Sequence, residues 1–281
     1  MRAAKLLDVR IRDLDLRLEG TWVGRCIARV REELARRDLR FRPYFWISDE
    51  WFTPDGYTGT AVPFYLLHPR LVRLERNRMG YVEGATRDWC LRILRHEIGH
   101  ALDHAYGLHR RRRWQRLFGA SSRRYPRYYQ PNPYSRRHVQ HLEYWYAQSH
   151  PDEDFAETFA VWLQPRSGWR KRYRGWPALK KLEYVDELMA GIAGKKPRVR
   201  HRQRVDSLPT LKKKLWIPGR GTSASTSTLK PSWATMGRGT TTVRPQLAYR
   251  ACAQSPTTLV SRRAFGPSAS TRATTARDSF S

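Results

Sequence analysis

Hydrophobic positions along the chain fall into periodic blocks separated by polar breaks. Val23, Ile27, Val30 and Leu34 recur at helical spacing with Arg and Glu between them, so Trp22 to Leu39 is predicted as a helix. Arg42–Ser48 and Thr60–Leu67 are β-rich runs and are predicted as strands, the second placed at an edge by Pro63. Thr53-Pro-Asp-Gly-Tyr57 between them has turn chemistry. Asp88 to Gly107 is predicted as a long helix stopped by its glycine. Residues 108–149, rich in Arg, Tyr and Pro, are expected to start partly helical and continue as a long ordered loop. A further helix should open at His150 with Pro151 in its first position, and a last one should run from Trp176 to about Ala193. These elements predict an α+β fold of helices with small N-terminal strands.

After Gly194 no hydrophobic period survives beyond short pieces such as Leu215-Trp-Ile. Residues 195–281 are rich in Ser, Thr, Gly and Pro and hold 18 Lys/Arg against two acids, Asp206 and Asp278. The expected organisation is therefore a domain over 1–194 followed by a disordered basic tail over 195–281. Weak nonspecific nucleic-acid contact through that tail follows from its charge. The whole chain of 281 residues carries a formal charge of +29. Its 11 Trp and 14 Tyr argue against disorder throughout. No apolar run reaches the ~18–20 residues of a membrane-spanning helix, so no membrane partner is expected. Charge precedes any apolar stretch at the N-terminus, so no secretory signal is expected and the cytoplasm is the expected location. Three scattered cysteines make neither a disulfide framework nor a Cys-rich zinc module.

The chemistry lies on two helices. His96-Glu-Ile-Gly-His100 puts two imidazoles four residues apart, on one helical face, where both can grip one ion. Zn2+ suits imidazole donors, and Glu97 beside the first histidine is placed to act as general base on zinc-bound water. Asp103 shares the polar face, whereas Leu91, Leu94, Ile98, Leu102 and Ala105 make the opposite, apolar one. A metzincin is rejected, because Asp103 and Tyr106 stand where that class needs Gly and His. His104 is excluded as third ligand: three histidines at i, i+4 and i+8 span about 12 Å of straight helix. On the helix opened by His150, Glu153 and Glu157 lie about 40° apart around the axis, opposite a stripe of Phe155, Phe159 and Trp162. One of these acids would ligate, and the other would hydrogen-bond a ligating histidine and fix its tautomer.

Arg95-His-Glu-Ile-Gly-His-Ala-Leu-Asp103 together with His150-Pro-Asp-Glu-Asp-Phe-Ala-Glu-Thr-Phe-Ala160 resembles the bacterial "putative zinc-binding metallopeptidase" family, and more broadly the gluzincins. Phe45–Trp51 and Pro63–Pro69 fit the same resemblance, which covers about residues 10–193. It implies a zinc-dependent peptidase acting on a peptide or protein substrate. Related gluzincins carry the frame E-x-x-A-[D/N/E]-x-F-A, which Glu153 to Ala160 fits; this implies Glu153 as the ligand and Glu157 as its neighbour's partner. Asp103, Glu157 and His150 are expected around the ligands. Tyr146 lies seven residues before Glu153, a spacing similar to the active-site tyrosine of lethal-factor-type gluzincins, and His150 competes with it as donor to a developing oxyanion. By the same analogy, the strand around Ala61–Leu67 would pair with an extended peptide. Two other functions fit the residues: a nucleic-acid-binding protein with a structural or vestigial zinc site, and a nonproteolytic zinc amidohydrolase. Glu97 separates the first of these, since a structural zinc has no use for a base there.

Overall fold

The computed structural model describes residues 9–126 and 128–215. Helix α1 (Trp22–Ala35) is capped by Thr21, whose hydroxyl accepts from the Gly24 amide at 3.0 Å, and it buries Val23, Cys26, Ile27, Val30 and Leu34. Strands β1 (Tyr44–Ser48) and β2 (Gly59–Pro63) follow, then α2 (Pro69–Met79) and the long α3 (Arg87–Tyr106). Thr86 caps the start of α3, and Gly107 ends it in the left-handed conformation at φ 62°. After α4 (Arg112–Phe118) an irregular segment leads to α5 (Pro151–Leu163), short α6 (Trp169–Arg172) and α7 (Ala178–Ile192). Among the described residues the elements are helices and one two-stranded sheet, consistent with α+β. Among the described residues no helix is long and apolar enough to cross a membrane.

The two strands are parallel, with Tyr44 opposite Gly59 and Ser48 opposite Pro63. The turn at Thr53–Tyr57 therefore does not reverse one strand onto the next. Instead the connecting segment doubles back along the other side of β2, where the Ala61 amide donates to the Phe52 carbonyl at 2.8 Å. Beyond Pro63 the chain leaves strand geometry for a 3-10 turn over Phe64–Leu67, so the second predicted strand is shorter than expected.

Helices α3 and α5 pack against each other and carry the apolar faces expected of them. Leu94, Ile98 and Leu102 from α3 and Phe155, Phe159 and Trp162 from α5 are buried in one core with α1 and α7. Gly99 allows the close approach: a Cβ there would stand 3.0 Å from the Ala156 Cα and 3.1 Å from the Phe159 ring.

Ordered contacts continue past the expected boundary at 194, through residues 195–215. These pass along β1 and close against residues 9–12 near the N-terminus. Trp46 Nε1 donates to the Val205 carbonyl at 2.8 Å, Ser48 Oγ to that of Asp206 at 2.7 Å, and Thr58 Oγ1 to that of His201 at 2.8 Å. Leu208, Leu211 and Leu215 are buried, and the Leu215 amide donates to the Val9 carbonyl. Polar composition hid this strap because it is held largely through its backbone carbonyls, which every sequence has. The rest of the expected tail, 216–281, lies outside the described residues. Ending the chain after Gly194 should lower the melting temperature markedly, since burial of each leucine contributes about 1.5–3 kcal/mol. Thermal denaturation of the truncated chain checks this, and an unchanged melting temperature would show the strap to be dispensable.

Candidate metal centre

The polar face of α3 does not meet solvent. His96, Glu97, His100 and Asp103 are all at most 4% exposed, so each needs an internal partner. Helix α5 supplies partners at the histidines from its first two turns. Glu153 Oε2 lies 3.0 Å from His96 Nε2 and 3.1 Å from His100 Nε2, and the two nitrogens are 3.1 Å apart. Three donor atoms thus converge in a nearly equilateral triangle, a spacing at which their lone pairs repel unless a proton or a metal cation lies among them. Two imidazoles and a carboxylate are also the donor set of catalytic zinc sites that keep a position open. The residues fit that ion.

Glu157, one turn beyond Glu153, sets the histidine chemistry. Its Oε1 accepts from His96 Nδ1 at 2.9 Å and its Oε2 from the Leu142 amide at 2.8 Å. With the Nδ1 proton committed to Glu157, a neutral His96 presents its Nε2 lone pair to the triangle. Burial would raise both glutamates, but the histidines beside them hold Glu153 well below the usual carboxylate range and lower Glu157 too. Asp154, displaced around α5, instead pairs with Lys181 of α7 at 2.5 Å.

In the metal-free protein, burial disfavours a charged His96, yet the hydrogen bonds and charges of Glu153 and Glu157 outweigh it and raise its pKa to about 10. Near neutral pH this ring therefore holds a proton that a divalent cation must displace. Apparent zinc affinity should rise about tenfold per pH unit through neutrality from this group alone. Competition with a chromophoric chelator, corrected for the chelator's own protonation, measures it; a pH-independent affinity would remove His96 from the ligands.

Glu97 is held from the β1–β2 connection. The Thr53 hydroxyl lies 2.8 Å from Glu97 Oε2 and 2.9 Å from Thr60 Oγ1, so it can donate to the carboxylate while accepting from Thr60. Tyr146 is buried with its ring 5.7 Å from that of His96. Burial first, and then the charge of Glu153, keeps its phenol protonated far above the usual tyrosine range. It follows Tyr144 and Trp145, both in left-handed conformation at φ 59° and 52°. Such residues cost about 1–3 kcal/mol each and persist where surrounding contacts hold them; here Tyr129 Oη donates to the Tyr144 carbonyl at 3.1 Å.

Several expected residues stand elsewhere. His150 is the N-cap of α5: its Nδ1 accepts from the Asp152 amide, and its Nε2 donates to the Arg123 carbonyl at 2.7 Å. Both ring nitrogens of this expected oxyanion donor are thus committed to backbone partners. Tyr125 stacks on His150 at 3.6 Å and donates its hydroxyl to Glu153 Oε1 at 3.0 Å. Asp103 does not bond His96 or His100; it accepts from the amide and the Nδ1 of His109 at 2.7 and 2.9 Å. His104 Nδ1 meets the Tyr57 carbonyl. The edge of β2 expected to receive a peptide is covered at Ala61 by the chain's own Phe52. Thr53 stands in the predicted turn and Tyr125 in the predicted loop, and no local signal in the sequence ties either to the motif.

Residues 85–168, which contain α3 and α5, match the family described as "putative zinc-binding metallo-peptidase". The resemblance carried by the two motifs is thus a family match over the segment that builds the centre. No curated protein and no solved structure matches the chain.

Proposed function

We propose that this chain is a zinc-dependent peptidase in which His96, His100 and Glu153 hold the metal and Glu97 is the general base. The observation that carries the reading is the buried triangle of two imidazole nitrogens and one carboxylate oxygen, with a second glutamate next to the first histidine. Zinc bound there supplies a Lewis acid that polarises a peptide carbonyl and acidifies water to a pKa near 7. Glu97 takes a proton from the attacking water and returns it to the leaving amine. Thr53 keeps the carboxylate of Glu97 oriented through its hydrogen bond. Tyr146, a neutral phenol beside His96, donates to the oxygen on which negative charge develops. Glu157 holds the His96 tautomer, and Tyr125 holds the second oxygen of Glu153.

The test is metal analysis of the purified full chain together with its activity on a mixed peptide library. About one zinc per chain is expected, with hydrolysis lost to a chelator and restored by zinc. Substoichiometric zinc unaffected by His96→Ala, or hydrolysis indifferent to chelation, would overturn the reading.

A further inference from the structure

We propose that the groove at the C-terminal end of α3, beside the metal centre, is a subsite for acidic side chains of a peptide substrate; the inference rests on the peptidase reading above. The groove has a volume of about 1230 Å³, room for several residues of extended chain rather than a small molecule. None of His96, His100 and Glu153 lines it, but its wall adjoins them. Tyr125, which donates to Glu153, lines it, as do Asp152, the residue before Glu153, and His104, one helical turn beyond His100.

Its walls carry Arg110, Arg111, Arg123, Arg124 and Arg198 against two carboxylates, Asp55 and Asp152. A run of arginines along one segment is ordinarily a solvated face. These five come from three separate segments: the turn after α3, the loop before Tyr125, and the strap over 195–215. Only the fold brings them together. Among the described residues none of the five is ion-paired with a carboxylate, whereas Arg95 pairs with Glu33, Arg113 with Glu187 and Arg170 with Asp186. Guanidinium groups in that state match carboxylates through paired N–H donors. Asp103 reinforces the wall: its hydrogen bond raises the pKa of His109, which also faces the groove.

An extended nucleic acid would call for aromatic faces on which bases stack. The two tyrosines lining the groove are engaged otherwise: Tyr125 stacks on His150, and Tyr106 Oη donates to the Lys195 carbonyl at 2.8 Å. Peptide carboxylates suit what is exposed.

The experiment uses the full-length, zinc-loaded protein and peptides that share a cleaved core found in the library, flanked on either side by Glu or by Lys. The Glu-flanked peptide should have the higher kcat/KM on one side of the scissile bond. That preference should fall about tenfold in the triple variant Arg123→Ser/Arg124→Ser/Arg198→Ser, the scale expected from removing three exposed charge contacts. Arg17→Ser, at a side chain 79% exposed and outside the groove, should leave the preference unchanged. Cleavage without acid preference, or a preference the triple variant retains, overturns the subsite and leaves the peptidase reading standing. If no peptide is cleaved, the peptidase reading fails, and binding decides the groove alone. Fluorescein-labelled hexaglutamate bound to the wild type and weakened in the triple variant supports an acidic-peptide site. Equal binding to both, or a single-stranded oligonucleotide that displaces hexaglutamate and is itself weakened by the same variant, overturns it.

Discussion

Glu97→Gln should lower peptide hydrolysis by about 10²–10⁴-fold, the range lost with a general base, while zinc stays near one per chain. The substitution preserves shape, and an amide oxygen can still accept from Thr53 Oγ1, which lies 2.8 Å from the carboxylate. Glu97 is outside the triangle of donor atoms, so metal affinity should not change. What is lost is the capacity to take a proton in a site 2% exposed, where bulk water has little access to substitute for it. The measurements are kcat on a cleaved peptide and zinc content of the same preparation. Retained hydrolysis would remove Glu97 from the mechanism. Loss of zinc would place it among the ligands.

Glu153→Ala should abolish tight zinc binding, and with it any rise in melting temperature on adding zinc, because a cation stabilises only the state that binds it. The change removes the one oxygen that reaches both His96 and His100 and leaves the Tyr125 hydroxyl without its acceptor. Glu157→Ala should act differently. It frees the His96 ring but leaves three donors, so affinity should fall about 10–100-fold, as for other residues that orient a ligating histidine. Titration of both variants with zinc separates the roles, and the opposite ranking would assign the ligand to Glu157.

Much of this centre was legible along the chain because its parts are local. Four residues make about one helical turn, so the His96–His100 and Glu153–Glu157 spacings place each pair on one face whatever packs around it. The apolar stripes on the opposite sides of both helices determined how each would lie on a core, and Gly107 and Pro151 marked an end and a beginning. Helix α2 shows where that signal thins. It buries only Leu71 among many arginines, so hydrophobic period does not reveal it, although His68, Pro69 and Gly80 bracket it as cap, first residue and stop.

By itself, then, the sequence determined the two motif helices, their polar and apolar faces, and the chemistry their side chains could share. Tertiary structure alone decided which distant groups meet them. It brought Thr53 to Glu97 across 44 positions and Tyr125 to Glu153 across 28, turned Asp103 toward His109 rather than His96 or His100, and laid 203–206 along β1. It also gathered the groove arginines from three segments. The reason is physical. Periodicity reports the orientation of a side chain relative to its own helix or strand, whereas a contact between segments depends on how the elements pack. Where that contact uses a backbone carbonyl, as the strap does at Val205 and Asp206, the residue's identity carries almost no trace of it.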